Sequence, residues 1–180
     1  MSRLPLQTVE TAPEAAKPRV EAALKNNGFL PNLIGVLANS PAALEMYQEV
    51  GLINAKTSLS AAEREVVQIT AAVDNGCGFC KAGHTALSKK KKLMDDAEID
   101  ALRDGAELKD PKLAALARFT RAVMLHKGNV PDAQLAAFKA AGYNDAQVLE
   151  VILGVALATL CNYANNMARS DINPQLQPYA

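Results

Sequence analysis

The sequence is poor in the residue types that most often carry chemistry or define a class of binding partner. It has only three cysteines, two histidines and no tryptophan, and aromatic residues make up 4% of the chain. Lysine plus arginine equals aspartate plus glutamate at 19 each, so no overall field attracts nucleic acid or anionic lipid. Three cysteines, two of them three residues apart, do not form the disulfide framework of a small secreted domain.

Signals for export or membrane insertion are also scarce. The N-terminus, MSRLPLQTVE, lacks the apolar core of a secretory signal. The longest apolar run, VLEVILGVALATLC, contains Glu150, and this run is too short to span a bilayer. We therefore expect a cytoplasmic protein that has neither a membrane nor a nucleic acid as partner.

Helix signals, by contrast, occur along almost the whole chain. Nearly half of the residues (49%) are hydrophobic, with alanine, leucine and valine prominent. Ser40 precedes a proline at a first helical position, and Ser60 with Glu63 has the pattern of a capping box. Asn75-Gly76 interrupts the following helix, because both residues tolerate left-handed backbone. We predict one all-α domain over residues 1–180, with eight or nine helices and no strand.

Two segments share a layout that is compatible with a duplicated helical hairpin. Each has a cap, a glutamate and then a long apolar helix, and the two read SAAEREVVQITAAVDN and NDAQVLEVILGVALATLCNYANN. The second helix is predicted from Asn144 to about Ser170 and is apolar nearly all round, so it should be buried on most sides.

The stretch DNGCGFCKAGH, residues 74–84, places two cysteines and a histidine within eight residues. On a helix, Cys77, Cys80 and His84 would lie within about 60° of one another and form one chemical face. The helix N-terminus favours a thiolate at Cys77, whereas His84, one turn beyond Cys80, favours a thiolate at Cys80. These residues alone leave open which sulfur is the nucleophile.

A lowered thiol pKa would not by itself make an efficient enzyme. Lowering a thiol pKa from about 8.5 to about 6.5 raises the thiolate fraction near neutral pH about 25-fold. Each such thiolate is less basic and therefore less nucleophilic, by roughly eightfold if the Brønsted slope of thiol–disulfide exchange applies. A further acid–base group is therefore needed, and Glu65 on the preceding helix is the candidate, because the turn at Asn75-Gly76 could bring it back towards the thiols.

The pattern Glu65, Cys77-Gly-Phe-Cys80 and His84 resembles the core motif of AhpD-type alkylhydroperoxidases, which belong to the carboxymuconolactone decarboxylase-like superfamily of all-helical proteins. The segments GFLPNLIGVLANSP and VLEVILGVALATLCNYANN resemble its longer, peroxidase-related members. The resemblance implies an AhpD-like helical fold, Cys80 as the peroxidatic cysteine, Cys77 as the resolving cysteine, and Glu65 with His84 in a proton relay. Phe79 departs from the family pattern, which has a histidine immediately before the second cysteine.

The expected function is thus that of a thiol-dependent peroxidase or disulfide reductase acting on alkyl hydroperoxides or hydrogen peroxide. An external dithiol must reduce the resulting disulfide, because the chain has no Gly-rich dinucleotide fingerprint and we expect no cofactor or metal. The resemblance implies a lipoyl-linked donor, and thioredoxin-like or small thiols are alternatives. We also expect a homo-oligomer, from dimer to hexamer, because the last helix is more apolar than a single helical shell needs and the family assembles through such helices.

Other interpretations remain open at this point. A lactone decarboxylase-type lyase is one, although that chemistry needs no dithiol, and a non-enzymatic oligomer that senses redox state is another. The Cys77–Cys80 pair could be half of a zinc site, but a second ligand pair is absent. Cys161 is interpreted as a small core residue and His126 as a helix-end residue, and the lysines at 89–92 as a solvated helix end.

Overall fold

The computed structural model describes residues 2–180, and regular secondary structure in that range is entirely helical. Nine α-helices account for most of it, which confirms the predicted fold class and helix number. They are α1 (Lys17–Asn27), α2 (Asn32–Leu37), α3 (Pro41–Asn54), α4 (Ala61–Asp74), α5 (Gly78–Lys91), α6 (Asp96–Arg103), α7 (Pro111–Leu125), α8 (Asp132–Ala140) and α9 (Asp145–Ala168). Short 3₁₀ helices cover Glu14–Ala16 and Pro174–Tyr179.

The helices begin where the sequence signals predict. The Ser40 side chain accepts a hydrogen bond from the backbone of Ala43 at the start of α3. Ser60 and Glu63 form a complete capping box at the start of α4, with both reciprocal hydrogen bonds present. These contacts satisfy backbone N–H groups that a helix N-terminus would otherwise leave without partners.

The start of α9 repeats the arrangement found in α4. Asn144 and Gln147 form a second capping box there. The two helices also pack against each other. Both halves of the expected repeat therefore begin in the same way, while the duplication itself stays a prediction.

The burial of α9 corrects one expectation from the sequence. Its 24 residues, with a mean hydropathy of 1.5, are long and apolar enough to cross a membrane by length and composition alone. The apolar run VLEVILGVALATLC is only part of this helix, which continues through polar Asn162 and Asn165. This helix packs against α2, α3, α4, α5 and α7. The expectation that it is buried on most sides was wrong, because only 33% of its most apolar stretch is buried.

The turn between α4 and α5 positions the motif. Gly76 has φ of 63°, a left-handed conformation that glycine adopts without strain. The backbone N–H of Cys77 donates to the carbonyl of Ala72 across 2.8 Å, which closes the end of α4. The chain reverses here, and α5 packs along α4. This reversal places the side chains of α4 opposite those of α5.

The C-terminal segment was not predicted from the sequence. The 3₁₀ helix at Pro174–Tyr179 packs on α5, and Leu176 is buried in the same hydrophobic core as the two motif cysteines. Arg103 donates hydrogen bonds to the carbonyls of Tyr179 and Ala180 and holds the segment in place. The segment therefore forms part of the wall around the motif.

Candidate functional site

The two motif cysteines lie at the buried start of α5. Cys77 is the N-cap residue of this helix, and its sulfur accepts a hydrogen bond from the backbone N–H of Cys80 at 3.4 Å. Both are free thiols and both are buried. A cysteine sulfur thus occupies the position where serine or aspartate usually caps a helix, and the local backbone dipoles favour negative charge on it.

Glu65 and His84 form a hydrogen-bonded pair across the α4–α5 interface. Nδ1 of His84 donates to Oε2 of Glu65 across 2.8 Å. The Glu65 side chain is 10% exposed and that of His84 is 29% exposed. Burial by itself lowers the pKa of His84, but the nearby Glu65 carboxylate overrides this effect and raises it. The imidazolium therefore persists to higher pH than in an isolated histidine.

The two thiols differ in acidity. A hydrogen bond from the Cys80 thiol, opposed by burial, lowers the pKa of Cys77 to about 7, with help from the backbone N–H groups and from His84. The same hydrogen bond and burial raise the pKa of Cys80. In the resting dithiol the first negative charge thus resides on Cys77, as the helix-terminus argument indicates. The argument from the position of His84, which favours Cys80, does not describe this resting state.

Cys77 has the lower pKa, but Cys80 is the thiol that a substrate can reach. A cavity of about 590 Å³ reaches Cys80 and His84, whereas Cys77 does not line it. Much of the wall is apolar and includes Phe29, Leu33, Phe79, Leu157 and Leu176. Phe79, the residue that departs from the family pattern, therefore contacts the same space as the Cys80 sulfur.

Two further residues on this cavity were not assigned to the site from the sequence. Tyr47 on α3 lines it, and burial, followed by the nearby Cys161 and Cys80 thiols, raises the pKa of its phenol. Tyr47 therefore stays protonated and can donate a hydrogen bond into the cavity. Cys161 is a core residue as expected, but it also lines this cavity, and burial raises its pKa to about 12. No local pattern marks either residue, because only the packing of α3 and α9 around α5 brings them here.

The remaining polar residues singled out in the sequence lie outside the cavity lining. His126 is the C-cap residue of α7, as expected for a helix-end residue. Lys89 pairs with Asp100 at 3.0 Å, and the lysine run ends α5 as predicted. Within residues 2–180 no group of three or more His, Cys, Asp or Glu side chains is arranged to hold a metal ion.

The region that contains the motif matches a known family model. Residues 41–122, which contain Glu65, Cys77, Cys80 and His84, match the model of the carboxymuconolactone decarboxylase family. No curated protein matches the chain in sequence.

Solved structures share the fold over almost the full chain. A peroxidase-related protein from Ralstonia eutropha JMP134, described as an alkylhydroperoxidase AhpD core, has a TM-score of 0.85 at 21% identity, over 97% of this chain and 94% of that chain. A peroxidase-related protein from Silicibacter sp. TM1040 has a TM-score of 0.80 at 17% identity, over 97% and 92%. The debrominase Bmp8, in complex with 2,3,4-tribromopyrrole, has a TM-score of 0.79 at 16% identity, over 98% and 94%.

Proposed function

We propose that this chain is a thiol-dependent peroxidase of the carboxymuconolactone decarboxylase-like superfamily. The match of residues 41–122 to the family model supports this proposal, as does the fold shared with peroxidase-related proteins. Its substrates are alkyl hydroperoxides or hydrogen peroxide, and Cys80 is the sulfur that attacks them. Cys77 then resolves the oxidised Cys80 through an intramolecular disulfide.

One observation carries this proposal. Cys80 is the member of the dithiol that lines the 590 Å³ cavity, and it does so together with His84, whose other ring nitrogen is held by Glu65. A substrate in the cavity therefore meets a sulfur and a proton donor at once. Cys77 lies behind Cys80 and is 1% exposed, which suits a residue that reacts only with its neighbour.

The first step transfers oxygen to Cys80. The Cys80 proton passes to the Cys77 thiolate as the Cys80 sulfur attacks the distal oxygen of the hydroperoxide. The O–O bond breaks, Cys80 becomes a sulfenic acid, and the alkoxide or hydroxide leaves. His84 supplies the proton that converts this leaving group into an alcohol or water, and the Tyr47 phenol donates a hydrogen bond to the same oxygen.

The second step forms the disulfide and releases water, and the starting protonation state returns when an external dithiol reduces the disulfide. The Cys77 sulfur attacks the sulfenic acid, an S–S bond forms, and water leaves with the Cys77 proton. A reduced dithiol, lipoyl-linked, thioredoxin-like or a small thiol, then returns both cysteines to thiols by exchange and becomes a disulfide itself. Dependence on a reduced dithiol suits a cytoplasmic location.

The test is consumption of cumene hydroperoxide and hydrogen peroxide by the reduced protein with dihydrolipoamide as the dithiol. Multiple turnovers that require both protein and dithiol would support the proposal. Absence of consumption by a folded, fully reduced protein would reject it. Decarboxylation of a carboxylated lactone without any dithiol would instead select the lyase interpretation, and loss of assembly on oxidation without turnover would select the redox sensor.

Phe79 provides a prediction about the rate. A histidine at this position could relay a proton to the leaving oxygen, and phenylalanine cannot. Since Phe79 lines the cavity beside Cys80, we expect Phe79→His to raise the rate of peroxide reduction about tenfold or more near neutral pH, the low end of the usual acid–base contribution. Stopped-flow measurement of thiol oxidation gives this rate. An unchanged rate in a variant with preserved fold and thiol pKa would show that the proton already arrives by another route.

A second candidate function uses the same dithiol on a different substrate. The fold is shared with a debrominase in complex with a tribromopyrrole, and the largely apolar cavity beside Cys80 has room for a small ring. In such a reaction an aryl bromide and two thiols would give the unbrominated ring, bromide, a proton and a disulfide. Release of bromide from 2,3,4-tribromopyrrole by the reduced protein, with no consumption of hydroperoxide, would favour this candidate over the peroxidase.

Self-association is the proposed quaternary state. One face of α9 exposes Leu149, Ile152, Tyr163 and Met167, which recur at helical spacing and include no charged residue. Such a face suits packing against a second copy of the chain. We expect a dimer to hexamer at micromolar concentration in sedimentation velocity, and a shift towards monomer when Leu149 and Met167 are both changed to lysine. A single species of 19.1 kDa for the unmodified chain would contradict this prediction.

A further inference from the structure

Two buried asparagines on α9 lie beside the Cys80 sulfur. The side-chain nitrogen of Asn165 donates to Cys80 Sγ at 3.4 Å. Asn162, one turn earlier on the same helix, also interacts with this sulfur and opposes the rise in its pKa. The two side chains are 3% and 1% exposed. They belong to the segment CNYANN, for which the proposed reaction gives no role.

Both amides are held at their carbonyl ends. The Ser170 hydroxyl donates to Oδ1 of Asn165 across 2.5 Å. The side chain of Asn75 donates to Oδ1 of Asn162 across 3.0 Å. Each carbonyl oxygen thus already accepts a hydrogen bond, and the Asn165 nitrogen donates to the sulfur. An amide oriented in this way costs little reorganisation when charge develops on its partner.

The proposed reaction creates a need for such donors. Negative charge resides on Cys77 before the reaction, yet Cys80 must carry the charge as it attacks. Burial and the neighbouring Cys77 both disfavour charge on Cys80. Hydrogen bonds to an ionised sulfur are stronger than those to a neutral thiol, so donors at Cys80 stabilise the charge when it moves there.

We propose that Asn165, assisted by Asn162, forms an anion-stabilising site for the Cys80 sulfur and so determines that Cys80 rather than Cys77 reacts. The inference rests on the proposed role of Cys80 as the attacking sulfur. It assigns to α9 a direct part in the chemistry, because the Asn165 amide touches a reacting atom. The same donors can hold the sulfenate oxygen or sulfur until Cys77 attacks.

Other ionisable groups around Cys80 must be considered in any pH experiment. The groups beside the sulfur or on its cavity are Cys77 and His84 on α5, Glu65 on α4, Tyr47 on α3, Cys161 on α9 and the charged Arg19 on α1. Tyr47 and Cys161 stay protonated near neutral pH because burial raises both pKa values. Substitution of Asn165 leaves all of these ionisable groups in place.

The test measures the alkylation of Cys80 by iodoacetamide in the fully reduced chain as a function of pH. Fragment-ion mass spectrometry separates labelling at Cys80 from labelling at Cys77. Near neutral pH we expect Asn165→Leu, which keeps the branched side-chain skeleton but removes the donor, to slow labelling at Cys80 about tenfold. The share of label on Cys77 should rise. Asn129→Leu, at an exposed position beyond the end of α7, is the matched control and should leave the profile unchanged.

A second variant tests whether slower labelling comes from the lost hydrogen-bond donor and not from altered packing. Asn165→Asp keeps the shape but replaces the donor by a carboxylate, so labelling at Cys80 should slow by at least as much and its pH profile should move to higher pH. Identical pH profiles at Cys80 in the unmodified chain and both variants would overturn the inference. Because no peroxide is present, this result is independent of whether the reduced protein consumes hydroperoxide, which tests the proposed function separately.

Discussion

Replacing Cys80 with serine should abolish the consumption of hydroperoxide, whereas Cys77→Ser should leave one rapid reaction per chain. Serine at position 80 removes the only motif sulfur on the cavity. Serine at position 77 leaves the attacking sulfur but removes its resolving partner, so sulfenic acid should accumulate at Cys80. Stopped-flow oxidation followed by trapping of the sulfenic acid with dimedone measures both outcomes.

Cys161→Ser is the matched control for this pair of variants. Cys161 also lines the cavity, but its pKa is raised to about 12 by burial, so it stays a thiol and should not contribute to the first reaction. The rate with Cys161→Ser should therefore equal that of the unmodified chain. If Cys77→Ser lost the first step while Cys80→Ser kept it, the more acidic Cys77 would be the true nucleophile and the roles would be inverted.

Glu65→Gln should lower the rate of peroxide reduction by about 10²- to 10⁴-fold, the usual contribution of an acid–base group. Glutamine keeps the shape but carries no charge, so it no longer favours the His84 imidazolium. Burial, which lowers the pKa of His84, is then opposed only by the charge of Cys77, so this pKa should fall. The imidazolium is lost as pH rises through that lower pKa, so the alkaline fall in rate should move to lower pH.

The rate of oxidation as a function of pH measures this effect. Glu107→Gln, which removes an exposed carboxylate paired with Arg118, is the control and should change neither the rate nor the profile. A reduced rate in Glu65→Gln with an unmoved alkaline limb would mean that the carboxylate acts on the fold and not through His84.

The local features of the fold follow from the sequence because short-range interactions determine them. Ser60 with Glu63 caps α4, and Gly76 ends it with positive φ. Once the chain reverses at Gly76, helical spacing brings Glu65 opposite His84, and the structure has their side chains 2.8 Å apart. These elements required only capping, turn and periodicity rules.

The surroundings of the dithiol do not follow from such rules. Tyr47 and Asn165 lie 33 residues before and 85 residues after Cys80 in sequence, and only tertiary packing brings α3 and α9 to it. The same packing decides which sulfur faces the cavity. Sequence reasoning left the nucleophile open because the helix dipole and His84 favour different sulfurs, and the structure separates the two effects. Cys77 has the lower pKa, whereas Cys80 is the thiol that lines the cavity.

The central claim is that the Cys80 sulfur takes the oxygen of a hydroperoxide and Cys77 resolves it. The most direct test is rapid quenching of the reduced, unmodified chain after one equivalent of cumene hydroperoxide, with the cysteines mapped by mass spectrometry. The account predicts sulfenic acid at Cys80 at the earliest times, then a Cys77–Cys80 disulfide, with Cys161 a free thiol throughout. First oxidation at Cys77, or a dominant disulfide that includes Cys161, would contradict it.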